Sequence, residues 1–71
     1  MRTLTENEIE VLQKHPEYQR RIYVMKALHH IRYADIAKEV ISPSTGRNLS
    51  YARVGEIFIR IKKEVGVARL R

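Results

Sequence analysis

The stretch YADIAKEVISPSTGRNLSYARVGEIFIRIKKEV, residues 33–65, decides the fold. Both of its ends carry apolar residues at helical spacing, and its middle does not. At one end Ile36, Ala37 and Val40 fall on one side of a short helix expected from about Tyr33 to Ile41. Asp35 stands in its first turn, where a negative charge is favoured by the helix dipole. At the other end Val54, Ile57, Phe58, Ile61 and Val65 form a clean stripe, which predicts a helix from about Tyr51 to Val65. Ser50 is a good N-cap for it. Gly66 is expected to end it as a left-handed residue, with Val67 folding back on Ile61. Lys62 and Lys63 stand near its C-terminus, complementing the dipole. The middle, Ser42-Pro43-Ser44-Thr45-Gly46-Arg47-Asn48, is dense in turn formers. Alternation is not sustained on either side of it, so a loop is expected rather than a β-hairpin.

Two more helices are expected upstream. Thr5 and Glu8 have the spacing of a capping box, and Leu4 and Ile9 that of a hydrophobic staple. Ile9 and Leu12 share a face there, with Val11 beside them, and Pro16 disfavours helix in the residue before it. A first helix over about 6–15 follows. Pro16 also suits the first turn of a second helix. Tyr18, Ile22, Met25 and Leu28 form its stripe, widened by Tyr23, Val24 and Ala27, and it is expected to end near His30 as the central, most buried helix. The fold class is therefore all-α, a four-helix domain with one substantial loop.

The chain has 71 residues, which bounds it to one small domain. It carries 14 Lys+Arg against 8 Asp+Glu, a net charge of +6, and such a balance attracts polyanions. The acids crowd the start at Glu6, Glu8 and Glu10, and the bases crowd the end at Arg53, Arg60, Lys62, Lys63, Arg69 and Arg71. There is no cysteine, so disulfides and thiolate metal sites are excluded. No long apolar run for a membrane span and no signal-peptide pattern are visible, so a soluble, cytoplasmic protein is expected, with no membrane partner. His29 and His30 are adjacent and point apart on a helix, and His15 is distant, so neither a metal nor a cofactor is expected. No Gly-rich phosphate loop or nucleophile elbow is present, and the chain is not expected to be an enzyme.

Several short segments resemble one known group. Tyr33-Ala34-Asp35-Ile36-Ala37-Lys38-Glu39-Val40 resembles the "EIA" helix of LuxR-type response regulators and of region four of bacterial sigma factors. Ser50-x-x-x-Val54 resembles the start of their recognition helix. Ile61-Lys62-Lys63-Glu64-Val65-Gly66-Val67 is similar to the "KLGV" ending of the LuxR type, and Leu4-Thr5-Glu6-Asn7-Glu8-Ile9-Glu10-Val11-Leu12 to its "LT-x-x-E-x-x-VL" opening. The resemblance implies a tri-helical helix-turn-helix with an extended turn. It lays the domain out as an N-terminal helix, a helix-turn-helix unit over about 17–65 and a basic tail over 67–71. The chain departs from the pattern in two ways. The spacing from Ala37 to Val54 exceeds the compact motif by roughly two helical turns. The additional helix by which LuxR-type domains dimerise does not appear before Arg71.

The function implied is sequence-specific binding of double-stranded DNA in transcriptional control, with the helix from Tyr51 in the major groove. Tyr51, Ala52, Arg53 and Glu56 are the candidates for reading bases. Arg53 suits a guanine edge, and Glu56 a cytosine amino group or the orientation of a neighbouring arginine. Thr45, Arg47, Asn48, Ser50, Arg60, Lys62, Lys63, Arg69 and Arg71 are the candidates for holding the phosphate backbone. Ile59 is apolar on the outward side and suits a thymine methyl, a partner subunit or the tail near Leu70. The rival expectation is a protein-interaction module that docks on RNA polymerase or another regulator, with Ile59, Leu70 and Tyr51 in contact. A single small domain selects one DNA site poorly, which points to a homodimer or larger assembly.

Overall fold

A computed structural model describes residues 3–70. Four helices follow one another: α1 Glu6–Leu12, α2 Glu17–Ala27, α3 Tyr33–Glu39 and α4 Tyr51–Arg69. Among the described residues there are no strands, only one isolated antiparallel bridge between Ile41 and Asn48. The molecule is all-α, as expected from the spacing.

Local chemistry sets the starts. Thr5 Oγ1 accepts from the Glu8 amide at 3.2 Å, and Glu8 Oε1 accepts from the Thr5 amide at 2.9 Å, so the capping box of α1 is complete. At α4 Ser50 Oγ accepts from the Arg53 amide at 3.2 Å. The ends are less local. α1 stops at Leu12, short of His15, and a tight turn over Gln13–His15 leads to Pro16. α2 stops at Ala27 rather than His30. His30 takes the left-handed conformation (φ 55°), and its amide donates to the Lys26 carbonyl at 3.2 Å, an αL cap built without glycine. α3 ends at Glu39, because Val40 is already extended.

The largest departure from the sequence reading is at Gly66. α4 runs through it to Arg69 and is capped at Leu70. The reason lies in packing. Val65 and Ala68 continue the inner stripe and rest against the core, so a helix broken at Gly66 would forfeit the Ala68 contact. Val67, expected to fold back on Ile61, is exposed instead.

α4 is also the central element. It packs on α1, α2 and α3, whereas α2 meets only α3 and α4 closely. Its buried residues Val54, Gly55, Ile57, Phe58 and Ile61 join Val11 and Leu12 from α1, Ile22 and Tyr23 from α2, and Ile36, Ala37 and Val40 at α3. The expectation that α2 is central fails because much of its stripe, Tyr18, Met25 and Leu28, is only half-buried. Enclosing one large aliphatic side chain stabilises by about 1.5–3 kcal/mol. Ile22, Ile36 and Ile61 are fully enclosed, so they anchor α2, α3 and α4 to one another. The Tyr33 ring lies against α4 at Gly55, where a Cβ would stand 3.4 Å from it, at van der Waals contact.

α1 turns a different face inward than its spacing suggested. Ile9 is exposed, and Glu8, Val11 and Leu12 are buried. A carboxylate inside costs several kcal/mol unless it is hydrogen-bonded. Glu8 meets that condition: Oε1 takes the Thr5 amide and Oε2 takes the Tyr23 hydroxyl. Tyr23 in turn stacks on Phe58 with centroids 5.5 Å apart. One polar cluster thus ties α1 to α2 and α4, and it draws the Glu8 side of α1 inward at the expense of Ile9.

Candidate nucleic-acid interface

The loop before α4 is closed by its own hydrogen bonds. The Ser42 amide donates to the Arg47 carbonyl and the Gly46 amide to the Ser42 carbonyl, both at 2.8 Å. Gly46 sits at φ 70°, a left-handed conformation that favours glycine. The Arg47 amide donates to Thr45 Oγ1 at 3.3 Å. Asn48 then reaches back to α3. Its Nδ2 lies 3.0 Å from the Ala37 carbonyl, 2.9 Å from that of Lys38 and 3.4 Å from that of Val40. The carbonyls at a helix C-terminus lack intrahelical partners, and Asn48 supplies them. The side-chain amide proposed for phosphate is therefore committed to the fold. The loop tethers the end of α3 to the start of α4 and leaves Thr45 and Arg47 exposed at its tip.

On α4 the four base-reading candidates are all exposed on the first two turns. Arg53 Nη1 and Glu56 Oε2 form an exposed ion pair at 3.1 Å. In isolation such a pair contributes well under 1 kcal/mol, so it orients the guanidinium without holding it against a competing ligand. Successive helical residues are about 100° apart. Ala52, Glu56, Ile59 and Lys63 therefore share the outward face, with Arg53 and Arg60 along one edge.

The remaining basic candidates divide. Arg60 and Lys63 line a groove of about 550 Å³ between α1 and α4, together with Glu10, Lys14, His15 and Glu64. Lys62 and Arg69 line a second groove, on the side of α4 where Glu8 and Tyr23 lie. Lys62 also hangs over the Phe58 ring, 6.0 Å from its centroid. By helical angle they lie roughly opposite Arg53 and Arg60, so the outward face and the edge next to it carry Arg53, Arg60 and Lys63 but not Lys62 and Arg69. Arg71 lies outside the described residues.

Packing adds one cation that the spacing did not reveal. Lys14 sits in the turn after α1 and reaches the outward groove only because α1 docks on α4. Close by, His15 Nε2 meets Glu64 Oε2 at 2.5 Å and His15 Nδ1 meets Gln19 Oε1 at 2.7 Å, so the Glu64 carboxylate is occupied within the fold. Lys14, Arg60 and Lys63 thus stand together with one acid of the groove already engaged.

Among the described residues no three of His, Asp and Glu are grouped to hold a metal ion, and no helix is long and apolar enough to cross a membrane. No protein-family model, no curated protein and no solved structure matches this chain.

Proposed function

We propose that the chain binds double-stranded DNA through the outward face of α4, with α3, the loop and α4 acting as a helix-turn-helix of extended turn. One observation carries the reading. The first turns of α4 are held from inside and bare outside: Val54 and Ile57 share one core with Ile36, Ala37 and Val40, while Ala52, Arg53 and Glu56 face solvent and Tyr51, also exposed, lies on the Lys62 and Arg69 side of the helix. A helix presented in this way fits the major groove, with residues near its N-terminus at the base edges. Arg53 reads a base edge, and Arg60, Lys63, Lys14 and Arg47 hold phosphates. The net charge of +6 supplies sequence-independent attraction, and the role is transcriptional control.

The test is a duplex titration over a series of salt concentrations. Saturable binding that weakens steeply as salt rises supports the proposal, since each phosphate contact releases counterion. Selection of bound duplexes from a random pool then gives the preferred site. A second reading, docking on RNA polymerase or another regulator, is favoured by the exposure of Ile59 and Leu70. Absence of saturable duplex binding at low salt decides for it.

A further inference from the structure

The outward face of α4 has a property that DNA binding does not require. Ala52, Glu56, Ile59, Lys63, Gly66 and Leu70 succeed one another in alternating steps of four and three residues, and all six are exposed. That spacing is the seam along which one helix packs on another. Ile59 is 59% exposed and Leu70 88%, and they are the two large aliphatic side chains on this line. Gly66 lies inside the helix with nothing within 4 Å of where a Cβ would stand. An interior helical glycine costs about 1 kcal/mol relative to alanine, and no contact within the chain accounts for this one.

We infer that this face pairs with α4 of a second copy of the chain, antiparallel and centred on Ile59. Charge selects both partner and direction. With Ile59 against Ile59, an antiparallel second helix sets Ala52 opposite Gly66 of the other copy. It also brings Glu56 within one residue, about 1.5 Å of rise, of Lys63 of the other copy. The two-fold axis makes this ion pair twice. A parallel pair would set Glu56 on Glu56 and Lys63 on Lys63, and like charges across a seam repel. Among the described residues Lys63 has no ion-pair partner, and Glu56 has only the exposed Arg53. Ala52 and Gly66, facing one another on either side of Ile59, let the backbones approach, Ile59 fills the middle, and Leu70 falls opposite Asn48 in the loop before the other copy's α4.

The size of the face sets the strength. A helix of 19 residues is about 28 Å long, so helix-on-helix contact covers a few hundred Å² per chain. Stable complexes bury roughly 800 Å² per partner. The pair is transient and forms at high chain concentration. The pairing stands on its own geometry. If the DNA reading also holds, pair and DNA complex exclude one another, because both use this face.

The experiment is sedimentation velocity without DNA, from about 10 µM to 1 mM chain, a range in which a weak interface populates. Wild type is expected to move from monomer toward dimer. Glu56→Lys and Lys63→Glu each place like charges across the seam twice, and each alone is expected to weaken association at least tenfold. An equimolar mixture of the two variants restores opposite charges and is expected to associate like wild type, as is the double variant. Circular dichroism checks that each variant keeps its helix content, and if a single variant loses it, the double variant decides. Wild type monomeric at 1 mM overturns the inference. So does association of the single variants equal to wild type, or a mixture and double variant that stay monomeric.

Discussion

On its inner face α4 carries Val54, Ile57, Phe58 and Ile61, all closed off from water, whereas on its outer face the same helix exposes Ala52, Glu56, Ile59 and Lys63. The inner face is satisfied within the chain: its aliphatic groups meet three other helices, and the buried Glu8 beside it has its hydrogen bonds. The outer face is not satisfied. It alternates charge with apolar surface and has weak internal pairs. The inner half of the helix sets stability, and the outer half is the surface on which the proposed binding would act. Substitutions on the two halves are expected to separate stability from binding.

The largest expected effect is at Ile61, which is fully enclosed. Ile61→Ala is expected to cost about 2–5 kcal/mol, since deleted methylenes leave a cavity among α1, α2 and α3. Urea denaturation measures it, and in a chain of 71 residues a loss of that size leaves little stability. A cost below about 1 kcal/mol would mean that α4 is not the centre of the core.

The buried polar cluster comes next. Tyr23→Phe keeps the ring stacked on Phe58 and removes only the hydroxyl that donates to Glu8. The carboxylate is then short of one partner inside the protein, and a loss of about 1–3 kcal/mol is expected in the same measurement. A neutral result would mean that water replaces the hydroxyl at Glu8.

The smallest effect, and one of opposite sign, is at Gly66. Gly66→Ala has room for the added methyl and suits a helix interior, so the monomer is expected to gain about 0.5–1 kcal/mol. Thermal denaturation at low chain concentration reads it. A loss instead would mean that Gly66 is held against something within the chain.

The comparison also explains what could be read from the residues alone. The inner stripe of α4, the Ser50 cap, the Thr5–Glu8 box and the loop at 42–49 are encoded by neighbours in sequence, and all appear. The misses share a cause. Gly66 carries a local stop signal, but the Ala68 contact two residues on outweighs it. Ile9 is expected on one face with Leu12, but Tyr23 draws Glu8 inward and turns Ile9 out. Asn48 stands among the candidates for the phosphate backbone, and only the approach of the loop to α3 makes it a cap. Lys14 joined no motif, because its neighbours Arg60 and Lys63 come from the far end of the chain. Of the candidate site, the exposure of Ala52, Arg53 and Glu56 followed from helical phase, whereas Tyr51 shares the phase of the buried Phe58 and is exposed because it stands at the first turn. The separation of Lys62 and Arg69 from Arg60 and Lys63 was present in the same angles, but it became visible only once the packing of α1 fixed which side each groove occupies.

The central claim, that the outer face of α4 reads DNA, is tested most directly by comparing Arg53→Ala with Arg60→Ala. Binding is measured to a selected duplex and to random duplex at nanomolar chain, where self-association is negligible. A base contact contributes about 1–3 kcal/mol of discrimination. Arg53→Ala is therefore expected to weaken the selected duplex about ten- to a hundredfold and to change random duplex far less. Arg60→Ala is expected to weaken both alike and to reduce the salt slope by about one. Equal losses on both duplexes for both variants, or no loss for either, would contradict the account.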